Sequence, residues 1–324
     1  MKNEFEWIRS IAPSKHRRAS VIKGIGDDAA VIRPKVGYDI VLAVDTLVEG
    51  VHFTKNTMPL KAIGYKALAV NVSDLAAMGA EPLYYMVSIA VPKENWEQEE
   101  INEIYEGMGE AGEEYDMDLI GGDTISTSRD LVITVQVTGR VEEYRQLLRS
   151  DAETNDIVFL TGPVGMSAAG LDELLEKGKD AWGDDPFIQA HQWPIAHVEH
   201  GRFFAESGER IALNDVSDGV AHEAKEIAES SGVDLHLDWE KMPRLDLFQH
   251  VPLTKQRKWL LHGGEDFSLL GTMRASLFQQ MKKQLQKKGL SLYQIGEVRP
   301  GRGNVWLKHE GTEKLLYDGG YTHF

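Results

Sequence analysis

The chain has 324 residues, 42% of them apolar, with no cysteine and a formal net charge of -16. That length suits two domains of roughly 100–200 residues better than one core. The absence of cysteine excludes disulfides, thiolate metal sites and cysteine nucleophiles, and the acidic balance argues against nucleic acid or an anionic membrane as main partner, because both need clustered Lys and Arg. No run is long and apolar enough to span a bilayer, and MKNEFEWIRS carries acids where a secretory signal is apolar, so the expected location is cytoplasmic.

Two β-rich runs open the chain, DDAAVI (27–32) and DIVLAVDTLV (39–48). Pro59 then marks a helix start and Gly79 its end, with Ala67, Val70 and Met78 in an apolar stripe that also contains Asp74. EPLYYMVSIAVP reads as a strand fenced by Pro82 and Pro92. An amphipathic helix follows, with Trp96, Ile101, Ile104, Tyr105 and Met108 on its apolar side. MDLIGGDT is a short strand running into a glycine turn, and DLVITVQVTGRV another strand. This order predicts a mixed sheet with most helices on one side.

Near Arg149 the pattern restarts. NDIVFLTG is a strand, GPVGMSAAGLDELLEKG a turn and helix, and DAWGDDPFIQAHQWP a polar, Trp-containing loop region. DGVAHEAKEIAESSG is a helix, VDLHLDW and GEDFSLLGTM are strands, SLFQQMKKQLQKKG is a helix, and LYQIGEVRP a strand. The expectation is a two-domain α/β (α+β) chain, residues 1–148 and 149–324.

The chemical signal is the placement of acids. Asp27 and Asp28 follow two glycines, Asp45 lies toward the end of an apolar strand ahead of Glu49 and His52, and Asp123 follows a strand and two glycines. Asp215 and Asp218 precede a helix, and Glu265 and Asp266 follow another glycine pair. One aspartate beside glycine is ordinarily a turn residue or helix N-cap. Asp74 within a helix is neither; it is a buried acid paired with Lys or Arg, a cap for a neighbouring loop, or a ligand. Burying an unpaired carboxylate costs several kcal/mol by rough estimate. Hard divalent cations neutralise such groups, and Mg²⁺ combines one or two carboxylates with water and substrate phosphates. The strand-to-helix run LTGPVGMSAAG offers backbone N–H groups for a phosphate. It lacks the P-loop ending, and neither a kinase signature set nor a Gly-x-Ser-x-Gly elbow is present.

In order along the chain, GIGDDAAV, VDTLVEGVHF, YKALAVNVSDLAAMGA, LIGGDT, LTGPVGMSAAGL, NDVSDGV, HGGEDF and the tail GGYTHF resemble the thiamine-monophosphate kinase family. The ALAVNVSDLAAMGA run and the early acidic loops are shared with a superfamily that includes aminoimidazole ribonucleotide synthetase, selenophosphate synthetase and a hydrogenase-maturation protein. The resemblance implies the aminoimidazole ribonucleotide synthetase-like fold and a homodimer paired through the N-terminal domain. It implies ATP-dependent conversion of thiamine monophosphate to thiamine diphosphate, the last step of that cofactor's biosynthesis, with several Mg²⁺ ions. Residue by residue, it implies magnesium ligands at Asp28, Asp45, Asp74, Asp123 and Asp215, with the Val44 carbonyl and Asp218 as further metal positions. Tyr105, Gly122, Asp123, Arg149 and Ser217 match nucleotide contacts, and His52, Glu265 and Tyr321 match substrate contacts. A sister synthetase and a metal-dependent phosphatase are the competing readings, since the acidic loops do not separate them.

Overall fold

In the computed structural model, residues 8, 10–13, 15–25, 29–243 and 248–316 are described. Asp27, Asp28 and Tyr321, with the rest of the GGYTHF tail, lie outside them. A four-stranded sheet in the order β3-β6-β4-β5 is built from β3 (Tyr38–Val48), β4 (Glu81–Pro92), β5 (Asp118–Thr127) and β6 (Val132–Glu142). β3 and β4 both run antiparallel to β6, and β4 runs parallel to β5. A two-stranded pair, β1 (Val21–Lys23) and β2 (Val31–Ile32), packs Val21 and Ile32 on Leu83, Tyr84 and Ile120.

Two helices cover one face of the four-stranded sheet: α1 (Leu60–Ala77) and α2 (Gln98–Glu114). The stripe expected on α1 is not a stripe. All of the helix is buried except Leu60, Lys61 and Asp74, because it is packed by the sheet, by α2 and by the C-terminal half of the chain, as expected for a helix that is apolar all round. Asp74 therefore marks the one gap in the interior of that packing. α2 is amphipathic as its period requires, burying Ile101, Ile104 and Met108, and starts on a capping box between Glu97 and Glu100. The two helices approach through a glycine pair. A Cβ on Gly64 would lie 1.8 Å from the Ile104 carbonyl oxygen, and one on Gly107 would lie 1.9 Å from that of Lys61.

The second half forms a seven-stranded sheet in the order β13-β12-β9-β11-β7-β10-β8. Its strands are β7 (Asp156–Leu160), β8 (Ala212–Asp215), β9 (Val233–Asp238), β10 (Leu269–Arg274), β11 (Tyr293–Pro300), β12 (Val305–His309) and β13 (Thr312–Leu315). Its helices are α3 (Met166–Lys177), α4 (Pro186–Gln192), α5 (Val198–Ser207), α6 (Val220–Ser231), α7 (Leu253–His262) and α8 (Ala275–Lys287). α4 falls in the stretch read as a polar loop. Asp185 caps it, accepting from the Phe187 and Ile188 N–H groups, and Pro186 occupies the first turn. One apolar core runs without interruption from Leu68 and Val135 to Phe159, Phe204, Leu213 and Phe278, and so passes from the first sheet to the second. None of the described helices is long and apolar enough to cross a membrane.

The Gly64 contact sets a contrast within one helix pair. Gly64→Ala should destabilise the protein by about 3 kcal/mol, since backbone must move to admit the methyl group. Gly109→Ala, at a position with nothing within 4 Å, should stabilise by about 0.5–1 kcal/mol. Denaturant unfolding of the two variants checks the sign of each, and equal effects would contradict the packing described.

Candidate active site

Asp45, Asp74, Asp215 and Asp218 are brought together from four elements. Asp45 sits on β3, with its backbone N–H donating to Asn71 Oδ1 at 2.8 Å, so the strand is tied to α1 one turn before Asp74. Asp215 ends β8 and accepts from Ser73 Oγ at 2.7 Å, which ties the second sheet to the same helix. Asp218 lies at the start of α6, where its N–H donates to Glu223 Oε1 at 3.0 Å. The side chains of Asp218, His222 and Glu223 offer oxygen and nitrogen atoms all within 4.8 Å of one another.

The electrostatics follow from that crowding. Burial, then the charges of Asp215 and Asp45, push the Asp74 carboxyl up to about 8, against the pull of Arg149. Burial pushes Asp215 up to about 6, partly offset by the Ser73 hydroxyl. Burial and then Asp215 raise Glu223 to about 7. Asp45 is raised by burial and by Asp218, while His52 opposes this. Asp74 makes no ion pair with Lys or Arg among the described residues, which removes the paired-acid reading. All the ligand atoms on offer in this cluster are hard oxygens apart from His222, the donor set that suits Mg²⁺.

A cleft of about 420 Å³ opens beside Asp74 and Asp215, lined also by Ala43, Arg149, Ser150 and Asn214. Arg149 Nε donates to Asn214 Oδ1 at 2.9 Å and Nη1 to Glu226 Oε2 at 2.8 Å. Asn214 Nδ2 in turn donates to Glu223 Oε2, and Ser217 Oγ to Glu223 Oε1 at 3.2 Å. Glu223 thus holds two of the residues expected to meet the nucleotide, Arg149 through Asn214 and Ser217 directly. His52 Nδ1 accepts from the Val48 N–H at 3.0 Å, which fixes the ring just beyond β3. Its charge acts on both Asp45 and Glu265.

Three expected residues lie elsewhere. Across the sheet, Asp45 is in line with Val135, Val87 and Gly122, so Gly122 is three strands away, about 14 Å at the usual spacing. A Cβ on Gly122 would lie 2.0 Å from the Val87 carbonyl oxygen. Asp123 pairs with Ser88 on the opposite face of the sheet and is exposed. Tyr105 lines a separate cleft of about 760 Å³ with Tyr85, Arg17, Asn102 and Asp118. Val44 is exposed on the outer face beside Asp45.

Two acids have structural work. Glu49 Oε2 accepts from Trp96 Nε1 at 2.9 Å and from the Leu131 N–H at 3.1 Å. Asp266 fills the start of α3, accepting from the Gly165 N–H at 2.6 Å and the Ser167 N–H at 3.1 Å. The helix start read as a phosphate cradle is therefore already occupied by a carboxylate. Ser73, Asn71, Asn214, Glu223 and Lys66 were not visible as site residues in the sequence; for Ser73 and Asn71 the signal was their polarity inside an otherwise apolar helix.

The raised carboxyls fix a sign. Between about pH 4, where unfolded carboxyls titrate, and about pH 8, these carboxyls bind more protons in the folded state than in the unfolded state, so their contribution to stability falls as pH rises, while His191 and His197, lowered by burial to about 3, oppose this below about pH 6.5. Thermal unfolding without divalent cation should therefore have a lower midpoint at pH 8 than at pH 6, and Mg²⁺ should raise it more at pH 8. Asp74→Asn should flatten the pH dependence and shrink the Mg²⁺ effect. A metal-free midpoint that rises across this interval would contradict the crowding.

Residues 26–141 match the family of the AIR synthase related protein, N-terminal domain, and residues 153–308 that of its C-terminal domain. The thiamine-monophosphate kinase of Bacillus subtilis (strain 168) is 45% identical over 327 aligned positions, covering 99% of each chain. The crystal structure of thiamine-monophosphate kinase from Stenotrophomonas maltophilia K279a superposes with a TM-score of 0.82 at 29% identity, covering 91% of this chain and 93% of its own. The structure of AaThiL complexed with AMPPCP and TMP gives 0.76 at 30% identity, covering 93% and 92%. With both halves matched and a relative this similar from end to end, the chain belongs to the thiamine-monophosphate kinase family of the AIR synthase related proteins.

Proposed function

We propose that this chain transfers the terminal phosphoryl group of ATP directly to the phosphate of thiamine monophosphate, giving thiamine diphosphate and ADP. The observation that carries this reading is the clustering of Asp45, Asp74, Asp215 and Asp218, from both halves of the chain, beside a cleft in which Asp74 and Asp215 meet Arg149. Its solved relative that holds AMPPCP and TMP supports the choice of substrates.

The acceptor is a phosphate monoester, substantially ionised near neutral pH, so no strong general base is required. The obstacle is repulsion between two anions, roughly 4 kcal/mol for unit charges 4 Å apart at an effective dielectric of about 20. Asp45, Asp74, Asp215 and Asp218, with Asp28 and Asp123, would hold magnesium, which when bound offsets that repulsion and aligns donor and acceptor. Arg149, held by Asn214 and Glu226, and Ser217, held by Glu223, bind the nucleotide phosphates. His52 and Glu265 bind the organic half of thiamine monophosphate, together with Tyr321.

The same proposal includes a homodimer, because one copy leaves the nucleotide residues divided. The outer face of the first sheet exposes Ile40, Leu42, Val44, Met86 and Ile125 at 43%, 65%, 59%, 37% and 53%. That is a contiguous apolar surface of the kind that marks an interface. Pairing two such faces around a twofold axis sets the β5 edge of one copy against the β3 edge of the other. Gly122 and Asp123 of one copy then reach the Asp45 side of its partner.

Turnover should give thiamine diphosphate and ADP in equal amounts; ADP with free phosphate and no thiamine diphosphate would favour a hydrolase. ATP chiral at a thiophosphoryl γ-position should transfer with inversion, whereas retention would require a phosphoenzyme. Asp45→Asn and Asp123→Asn should each abolish activity as homodimers, while the purified mixed dimer, with one intact site of two, should regain about half of it. A mixed dimer as inactive as its parents would place both residues in one subunit's site.

A further inference from the structure

Lys66 is used nowhere in the chemistry above, yet it is among the largest side chains with no exposure at all. Its Nζ lies 2.8 Å from Glu265 Oε2, and no well-angled hydrogen bond reaches Nζ among the described residues. A buried ammonium is kept only where something compensates it. The pair joins α1 of the first half to the loop before β10 of the second.

Glu265 is itself held under strain. Its φ is 64° and that of Phe267 is 51°, left-handed values that a non-glycine residue adopts only when its surroundings enforce them. The Glu265 N–H donates to the Ser217 carbonyl at 2.7 Å, and the Phe267 N–H to that of Val216 at 3.0 Å. This backbone delivers the carboxylate to Lys66. His191 Nδ1 stands 3.4 Å from the same oxygen, Oε2. Burial lowers that imidazole to about 3, so it is neutral, and its Nδ1 also meets Ser167 Oγ at 3.0 Å. The Glu265 side chain is nevertheless 28% exposed. The carboxylate is thus anchored to Lys66 while part of it stays accessible.

We propose that Lys66 is a positioning residue for the substrate: its buried ammonium fixes the Glu265 carboxylate, whose accessible part then serves as an anionic acceptor for the cationic, N–H-bearing organic half of thiamine monophosphate. This rests on the reading of Glu265 as a substrate contact. Lys66 itself does not touch the substrate.

The groups facing Glu265 are Lys66 from α1, His191 from α4, His52 from beyond β3, and the adjacent Asp266. Burial pushes the Glu265 carboxyl up, but the charge of Lys66 above all holds it below the ordinary carboxylate value. A lowered carboxyl stays ionised as pH falls toward 5. Replacing Lys66 by Met keeps the apolar stem but removes the opposing charge, leaving burial to raise the carboxyl.

The test compares Lys66→Met, Glu265→Gln and the double variant in steady-state kinetics. Lys66→Met should raise the KM for thiamine monophosphate about tenfold near pH 6.5 and less near pH 8.5, with the KM for ATP changed less than about twofold. In the Glu265→Gln background the same change should move the KM for thiamine monophosphate less than about twofold. An equal effect in both backgrounds overturns the inference, as does a lowered melting temperature with no change in KM. If Glu265→Gln leaves that KM unmoved, the substrate assignment of Glu265 falls and takes the inference with it. If Glu265→Gln raises it and Lys66→Met does not, the inference alone falls. Should Lys66→Met fail to fold, binding of thiamine by the wild-type protein decides: affinity level from about pH 8 to about pH 6 supports the inference, and a loss centred near pH 7 overturns it.

Discussion

Mutual repulsion among carboxylates is the constraint that the rest of this structure accommodates. Asp74, Asp215 and Glu223 all hold their protons well above the ordinary range, each because burial is compounded by the charge of another. Left to themselves such groups separate. Here they are kept close by tethers that carry no charge: Asn71 to the Asp45 backbone, Ser73 to Asp215, Asn214 to Glu223. The polar residues flanking Asp74 in α1 are thus what makes an acid cluster possible, and the apolar packing around them supplies the stability it consumes.

The same economy of charge explains how two adjacent acids, Glu265 and Asp266, are kept apart. Asp266 meets the N–H groups at the start of α3, where the helix dipole favours an anion. Glu265, next in sequence, turns the other way to Lys66. Two adjacent carboxylates are separated by the left-handed backbone at Glu265 and stabilised by different means, one by backbone dipoles and one by a cation.

Much of this was legible in the sequence. The long strands and α2 declare themselves through period, and α1 through the proline and glycine at its ends, and the positions of Asp45, Asp74, Asp215 and Asp218 were readable as acids where surface charge is not expected. Other features were hidden for physical reasons. α4 is seven residues long and starts at an Asp-Pro pair, which reads equally as a turn. A lysine in an apolar period reads as a flank, so the buried Lys66 gave no sign. The face on which Asp123 lies was hidden by parity. A bulge leaves Ile120 without a partner between the Leu119–Tyr85 and Gly121–Met86 pairs. Every later side chain on β5 is thereby turned to the other face. Without that bulge Asp123 would point toward the helices, as Leu119 does.

The apolar core that runs from Val135 to Phe278 bears on how the molecule came to be organised as well as on how it holds together. The two family regions meet near residue 150, and each has its own sheet. Yet α1 is buried by both, and the tethers from Asn71 and Ser73 run in opposite directions from one helical turn. The second half also closes a core of its own, between Ala152 and Val305. What it lacks alone is the face that α1 supplies: Asp74, and the Ser73 hydroxyl that holds Asp215, reach the acid cluster only when the two halves are packed on one helix.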